Sequence, residues 1–393
     1  MKNIILLAVF IVFTSAVMPA KAQNCFASKQ QKYEYEQGLA NAPQNAQITA
    51  CLQEALDYDN FEVFDAAAAA LRKSGNTAAA TGDMMKIFRE SKSPQAAFTA
   101  AAFLVSASAH QLQPYEKPLY ALLTSGAPDY KKTLAVIVLA AMGSADAGYT
   151  PFLTPAIEAK DPVLQAYAAA AYTVLLPQAR DLYLDKIIFL YGFDKNFAQV
   201  AFAATGLKEK VLHASLKTTL KNTRGAGRVC AIEWIADTGD KKLLEAVLEA
   251  DYNTDDIAAQ SAAAQALVRN FDIIEGSLKK ALKKTPASFS ASTAVMSYSL
   301  IGGGAFVDIE DALKSGNNNE TANALRVVAA VAGILAEAPS SYPNPGLERQ
   351  KLQKLIPLCA HIDNTAKNAQ IKTYAAAAVK ELYKLLNAPV ENS

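Results

Sequence analysis

The stretch DPVLQAYAAAAYTVL, Asp161 to Leu175, holds four consecutive alanines and almost no group that water would favour. Val163, Ala166, Tyr167, Ala170 and Val174 fall at helical spacing and make one apolar stripe. Leu164, Ala168, Ala171 and Leu175 make a second stripe beside it, and only Gln165, Tyr172 and Thr173 mark a weakly polar edge. A helix apolar on nearly every side lies in a bilayer or is buried among other protein elements. A bilayer crossing needs about 20 strongly apolar residues. This run is shorter and is bounded by Asp161-Pro162 and Leu176-Pro177, so burial in protein is the expectation.

The start of the stretch has a grammar that recurs. An Asp side chain accepts hydrogen bonds from the free amides of a first helical turn, and proline suits the next position because its missing N–H leaves nothing unsatisfied. Ser93-Pro94, Ala127-Pro128 and Thr285-Pro286 repeat the pattern, and Asp59, Asp194, Thr254, Asn318 and Thr365 read as starts without proline. Alanine-rich segments follow, among them FEVFDAAAAAL, FTAAAFLV, IAAQSAAAQALV and IKTYAAAAVKEL. From Asp59 the steps are 34, 34, 34 and 33 residues to Asp194. A weaker start near Arg224 divides the next interval, and a proline-rich insertion at 338–346 lengthens the last. A fixed period of this size marks an internal repeat of a helix pair.

The period and the pattern DPVLQAYAAAA resemble HEAT-type repeats, whose first helix often reads Asp-Pro-x-Val-Arg-x-x-Ala-Ala-x-Ala. The resemblance covers roughly residues 59 to 387 and implies an all-α solenoid of stacked antiparallel helix pairs. Gln165 stands near the family's arginine, so the Asp–Arg ladder that links such repeats is not expected here. A TPR-like pair has the same length, but that family's Trp-Leu-Gly-Tyr pattern is not found. In a stacked array each helix touches its partner and both neighbouring repeats, which calls for apolar residues on two or three sides. The insertion is expected at the surface, as a plain loop or as a partner-contacting one.

Residues 1–22 read as a secretory signal peptide, with Lys2, an apolar core from Ile4 to Met18 and a small-residue site at Ala20-Lys21-Ala22. Cleavage is expected before Gln23, with an uncleaved membrane anchor as the alternative; the bacterial style of the leader points to the periplasm or secretion. Residues 23–58 are expected to form capping helices and 59–393 the solenoid. An oxidising compartment permits disulfides, and Cys25 and Cys51 flank a turn that an antiparallel hairpin could bridge. Cys230, in the apolar run RVCAIEWIA, reads as a buried thiol and Trp234 as core.

Charge and motifs exclude more than they assign. The chain's formal net charge is +1, and loss of Lys2 and Lys21 with the leader lowers it by two, so nothing points to nucleic acid. His110, His213 and His361 are far apart, and no H-E-x-x-H or G-x-S-x-G occurs. Cys359-Ala-His361 lacks the second cluster that a tetrahedral metal site needs. Asp251 to Asp255 begins like a calcium loop, but Asp256 stands where glycine is required. Gly225-Ala-Gly227 and Gly302-Gly-Gly304 read as turns, and no cofactor motif is legible.

One charge pattern exceeds background. Residues 207–228 hold Lys208, Lys210, Lys217, Lys221, Arg224 and Arg228 against Glu209 alone, and Lys279, Lys280, Lys283 and Lys284 form a second cluster. Lys217, Lys221, Arg224, Arg228, Lys280 and Lys284 are therefore the candidate binding surface for an acidic protein or peptide partner; two ordinary solvated faces are the alternative. The expected role is a binding or scaffold protein. An enzyme with a site assembled from several repeats is the competing expectation.

Overall fold

The computed structural model describes residues 61–73, 77–252 and 256–388. The leader, the capping segment 23–58, the Cys25–Cys51 pairing and the starts at Asp59 and Thr254 lie outside the described residues. Among the described residues every regular element is helical, and no helix is long and apolar enough to cross a membrane. The fold is the expected all-α array of stacked helix pairs. It packs as two compact units, one holding the described residues up to Leu212 and the other those from His213 onward.

In the first unit the alanine-rich helices α1 (Phe61–Lys73), α3 (Pro94–Val105), α5 (Asp129–Ala141), α6 (Pro162–Leu175) and α8 (Lys195–Ala204) form one layer, each packed on the next. The helices α2 (Thr77–Glu90), α4 (Glu116–Thr124) and α7 (Leu184–Tyr191) pack against that layer from the other side. The boundary between the units falls inside α9 (Glu209–Asn222). In the second unit α10 (Ala226–Thr238), α12 (Ile257–Arg269), α14 (Phe289–Ile301), α16 (Asn318–Glu337) and α18 (Ala369–Asn387) again pack in sequence. Their partners are α11 (Lys241–Glu249), α13 (Phe271–Leu282), α15 (Phe306–Lys314) and α17 (Pro345–Thr365).

The opening stretch becomes α6, and residues Ala166 to Ala171 are buried without a break. α6 packs on α5, α7 and α8, so three sides are covered at once. Thr173, expected at the polar edge, is fully buried; its hydroxyl is satisfied by donating to the Ala169 carbonyl one turn back (2.8 Å). Asp161 caps the helix by accepting from Val163 N and Leu164 N (2.8 and 3.3 Å). Gln165 donates to the Ala159 carbonyl and accepts from Lys186 (3.2 Å).

Other starts move by a few residues, each to a better cap. Thr285-Pro286 yields to Ser288, Asn318 to Asn317 and Thr365 to Asn368, whose side chains accept first-turn amides. The pair begun by α5 lacks a full second helix. Pro151 and Pro155 break that segment into a 3-10 turn (Ala147–Phe152) and one α-turn (Thr154–Ile157). The long last step is absorbed chiefly by α16 and α17, of 20 and 21 residues, rather than by the insertion alone.

The insertion is fastened down. Tyr342 is buried and its hydroxyl donates to the Ser299 carbonyl (2.6 Å). Its ring lies where a Cβ on Gly302 would come within 2.6 Å, and Gly302 has φ +61°. Glycine is required there on both counts. The Glu348 carboxylate occupies the space next to Gly303 in the same way. The triple-glycine turn thus receives the segment that follows α16.

Arg228 corrects the sequence reading most sharply. It is 6% exposed, inside the second unit rather than on a docking face. Nη1 lies 3.2 Å from the Asp256 carboxylate, donates to the Asp251 carbonyl (2.8 Å), and the guanidinium stands over the Tyr252 ring. Asp256 also accepts from Gly225 N (3.3 Å), so the pair ties the start of α10 to the start of α12. One Arg–Asp rung therefore exists, one repeat apart, although α6 lacks the residue for it. Removing one partner of a buried pair leaves an uncompensated charge and costs about 3–5 kcal/mol. Arg228→Ala is expected to destabilise the second unit by that order, read in urea through the single tryptophan, Trp234, on α10. The Arg228→Met/Asp256→Asn double variant is expected to lose less than the two single changes together.

Candidate binding surfaces

The six cations separate into three environments. Lys217 and Lys221, four residues apart on α9, share one exposed face, and Arg224 is exposed just beyond the helix end. Arg228 is buried as described. Lys280 and Lys284 are exposed on and just after α13.

The second cluster is largely neutralised from neighbouring helices. Lys284 pairs with Glu249 of α11 (3.3 Å) and Lys283 with Glu320 of α16 (3.9 Å). Lys279 pairs with Glu275 on its own helix and Asp308 of α15 (2.6 and 2.9 Å), and these hydrogen bonds raise its pKa. Arg269 likewise joins α12 to Glu233 and Asp237 of α10 (2.8 and 3.5 Å). Lys217, Lys221 and Arg224, by contrast, form no ion pair among the described residues. The structure keeps Lys217, Lys221 and Arg224 as an open cationic face, turns Arg228 inward, draws Lys284 into a link between repeats and leaves Lys280 exposed without an ion pair among the described residues.

A second surface was not foreseen from the sequence. In the first unit a groove of about 210 Å³ opens between α1, α3, α6 and the turn before α8. One face of α1 contributes Asp65, Ala68, Ala69 and Arg72, at helical spacing. Phe98 of α3 and Tyr167 of α6 meet edge to face, 5.8 Å between centroids, and Phe193 stands 40% exposed at the rim. Asp65 accepts from Thr99 (2.8 Å), 34 residues on, which links consecutive repeats.

A polar chain runs inward from this groove. Arg72 Nη1 donates to the Tyr167 hydroxyl (3.4 Å), which faces Asp194 Oδ2 (3.5 Å). Asp194 is 5% exposed, accepts from Ser106 Oγ (2.8 Å) and caps α8 by accepting from Phe197 N (3.0 Å). Burial raises the Asp194 carboxyl above the usual range, opposed by its bonds from Phe197 and Ser106 and by the Arg72 charge. A tyrosine inside an alanine run, and an arginine closing another, were the only hints of this chain in the sequence.

No protein-family model matches the chain, and a search of curated proteins finds no match. Among solved structures it is similar, at 12% identity, to a chain of a homology model of the full-length AP-3 complex in an intermediate open conformation. The match covers 93% of this chain and 86% of that one, with a TM-score of 0.30. A chain from a study of tubulin recruitment by microtubule polymerases with tumor overexpressed gene domain arrays is also 12% identical. It covers 92% and 93% of the two chains, with a TM-score of 0.28. Superpositions this loose say nothing of ligand or partner.

The Asp194 environment has a pH consequence. A carboxyl whose folded pKa is raised binds its proton more tightly in the folded state, so its contribution to stability falls as pH rises from about 4 through the folded pKa. Asp194→Asn keeps the cap and removes the buried charge. Hydrogen-exchange protection of α6 and α8, corrected for intrinsic rates, is expected to decline less from acid to neutral pH in that variant than in the unmodified protein.

Proposed function

We propose that the chain is an exported, non-enzymatic binding protein of the bacterial envelope that holds an acidic protein segment on the cationic face of α9. One observation carries this reading: Lys217, Lys221 and Arg224 are exposed without an ion pair among the described residues, whereas the lysines around α13 are mostly matched by acids. An unmatched cationic face attracts an acidic surface and speeds its encounter. The stacked array presents that face on a rigid helix, as repeat proteins do with their binding surfaces. The export half rests on the leader at residues 1–22, with the mature chain beginning at Gln23.

The test is a photo-crosslinking residue at Thr218, beside Lys217, in intact cells, with N-terminal sequencing of the recovered protein. A crosslinked partner is expected that is lost on Lys217→Glu/Lys221→Glu with helix content unchanged, since such surface changes alter stability by about 0.5 kcal/mol or less each. Purified complex is expected to weaken with salt, because exposed charges are screened over about 8 Å at physiological ionic strength. Equal capture by the double variant, or a chain that retains residues 1–22, contradicts the respective half.

A further inference from the structure

The groove of the first unit carries an inference independent of the α9 face. The Arg72 guanidinium has five N–H donors in a planar fork. Among the described residues its polar partner is the Tyr167 hydroxyl, through one long bond of 3.4 Å. Ala68, Ala69 and Ala102 offer it no side-chain acceptor, and Asp194 behind Tyr167 is already engaged by Ser106 and Phe197 N. The remaining donors border the groove, where Arg is suited to meet a carboxylate with two parallel bonds.

The surroundings narrow the ligand further. Phe98 and Phe193 supply an aromatic floor and rim for one apolar side chain, and the buried Tyr167 ring backs Phe98 edge to face. Two acids, Asp65 and Asp161, line the groove against a single arginine, which disfavours a doubly charged phosphate and favours a ligand that also bears a cation. Asp65 lies seven residues before Arg72 on α1, about 10.5 Å along the helix axis. An extended peptide spans about 3.3–3.6 Å per residue, so about three residues bridge that distance.

We propose that this groove binds a short peptide of about three residues with both termini free. Its α-carboxylate pairs with Arg72, its amino terminus faces Asp65, and its C-terminal side chain rests on Phe98 and Phe193. The reading goes beyond a general binding role, because it assigns a second site and the chemistry that fills it.

The probe is the tripeptide Ala-Ala-Phe, titrated calorimetrically into the mature full-length chain. Saturable binding is expected, weakened about tenfold or more when the C-terminus is amidated, as loss of hydrogen bonds to a charged group implies. N-terminal acetylation and Asp65→Asn are each expected to weaken it less. Arg72→Gln is expected to abolish the preference for the free acid over the amide. If Arg72→Gln fails to fold, the acid-to-amide comparison on the unmodified chain decides alone. The Lys217→Glu/Lys221→Glu chain is expected to bind the tripeptide unchanged, which separates this site from the α9 face. Absence of saturable binding overturns the proposal, as does equal affinity for acid and amide or an acid preference that survives in Arg72→Gln.

Discussion

The structure depends on how closely its alanine-faced helices approach one another. In α6 an unbroken run from Ala166 to Ala171 is buried against α5, α7 and α8, and similar runs occupy α3, α12 and α16. Alanine combines high helix propensity with a small side chain, which lets helix axes approach closely without voids. Each alanine buries little area, at about 25 cal/mol per Å², so the larger side chains of the second helices and repetition of the contact supply the rest. Two tyrosines buried in the layer, Tyr167 and Tyr298, each direct the hydroxyl toward a carboxylate.

That constraint explains why so much of the fold was legible. The period of alanine-rich segments and their capping residues are local signals, and they locate nearly every helix of the alanine layer. Boundaries slip where two capping residues compete, as with Thr285 and Ser288 or Thr365 and Asn368, and by one residue at Ala127-Pro128, where no side chain caps the helix. Charge was less legible, because a local count cannot see partners that arrive from other repeats. Asp256 lies 28 residues after Arg228, and Glu249 and Glu320 reach Lys284 and Lys283 from either side. The groove was hidden for the same reason, since α1, α3, α6 and Phe193 are joined only by stacking.

Sorting charges by their partners turns the fold into a functional argument. Paired groups, buried at Arg228–Asp256 and exposed at Arg269–Glu233, link one repeat to the next. Exposed pairs of this kind contribute about 0–1 kcal/mol each, so their main effect is alignment. The α9 face and the Arg72 fork are among the groups that no acid of the described residues pairs with. Both stand on helices whose opposite faces are fixed by packing, which is where a binding group loses least entropy on complex formation.

The central claim is that alanine sets the spacing of the layer, and one comparison tests it directly. Ala169 is fully buried in α6, whereas Ala376 is exposed on α18. Ala169→Leu and Ala376→Leu make the same chemical change in the two settings, and hydrogen exchange reads the local stability of each helix. The account predicts a loss of about 1–3 kcal/mol at Ala169 from overpacking and a change within about 0.5 kcal/mol at Ala376. Equal tolerance of leucine at both positions would contradict it.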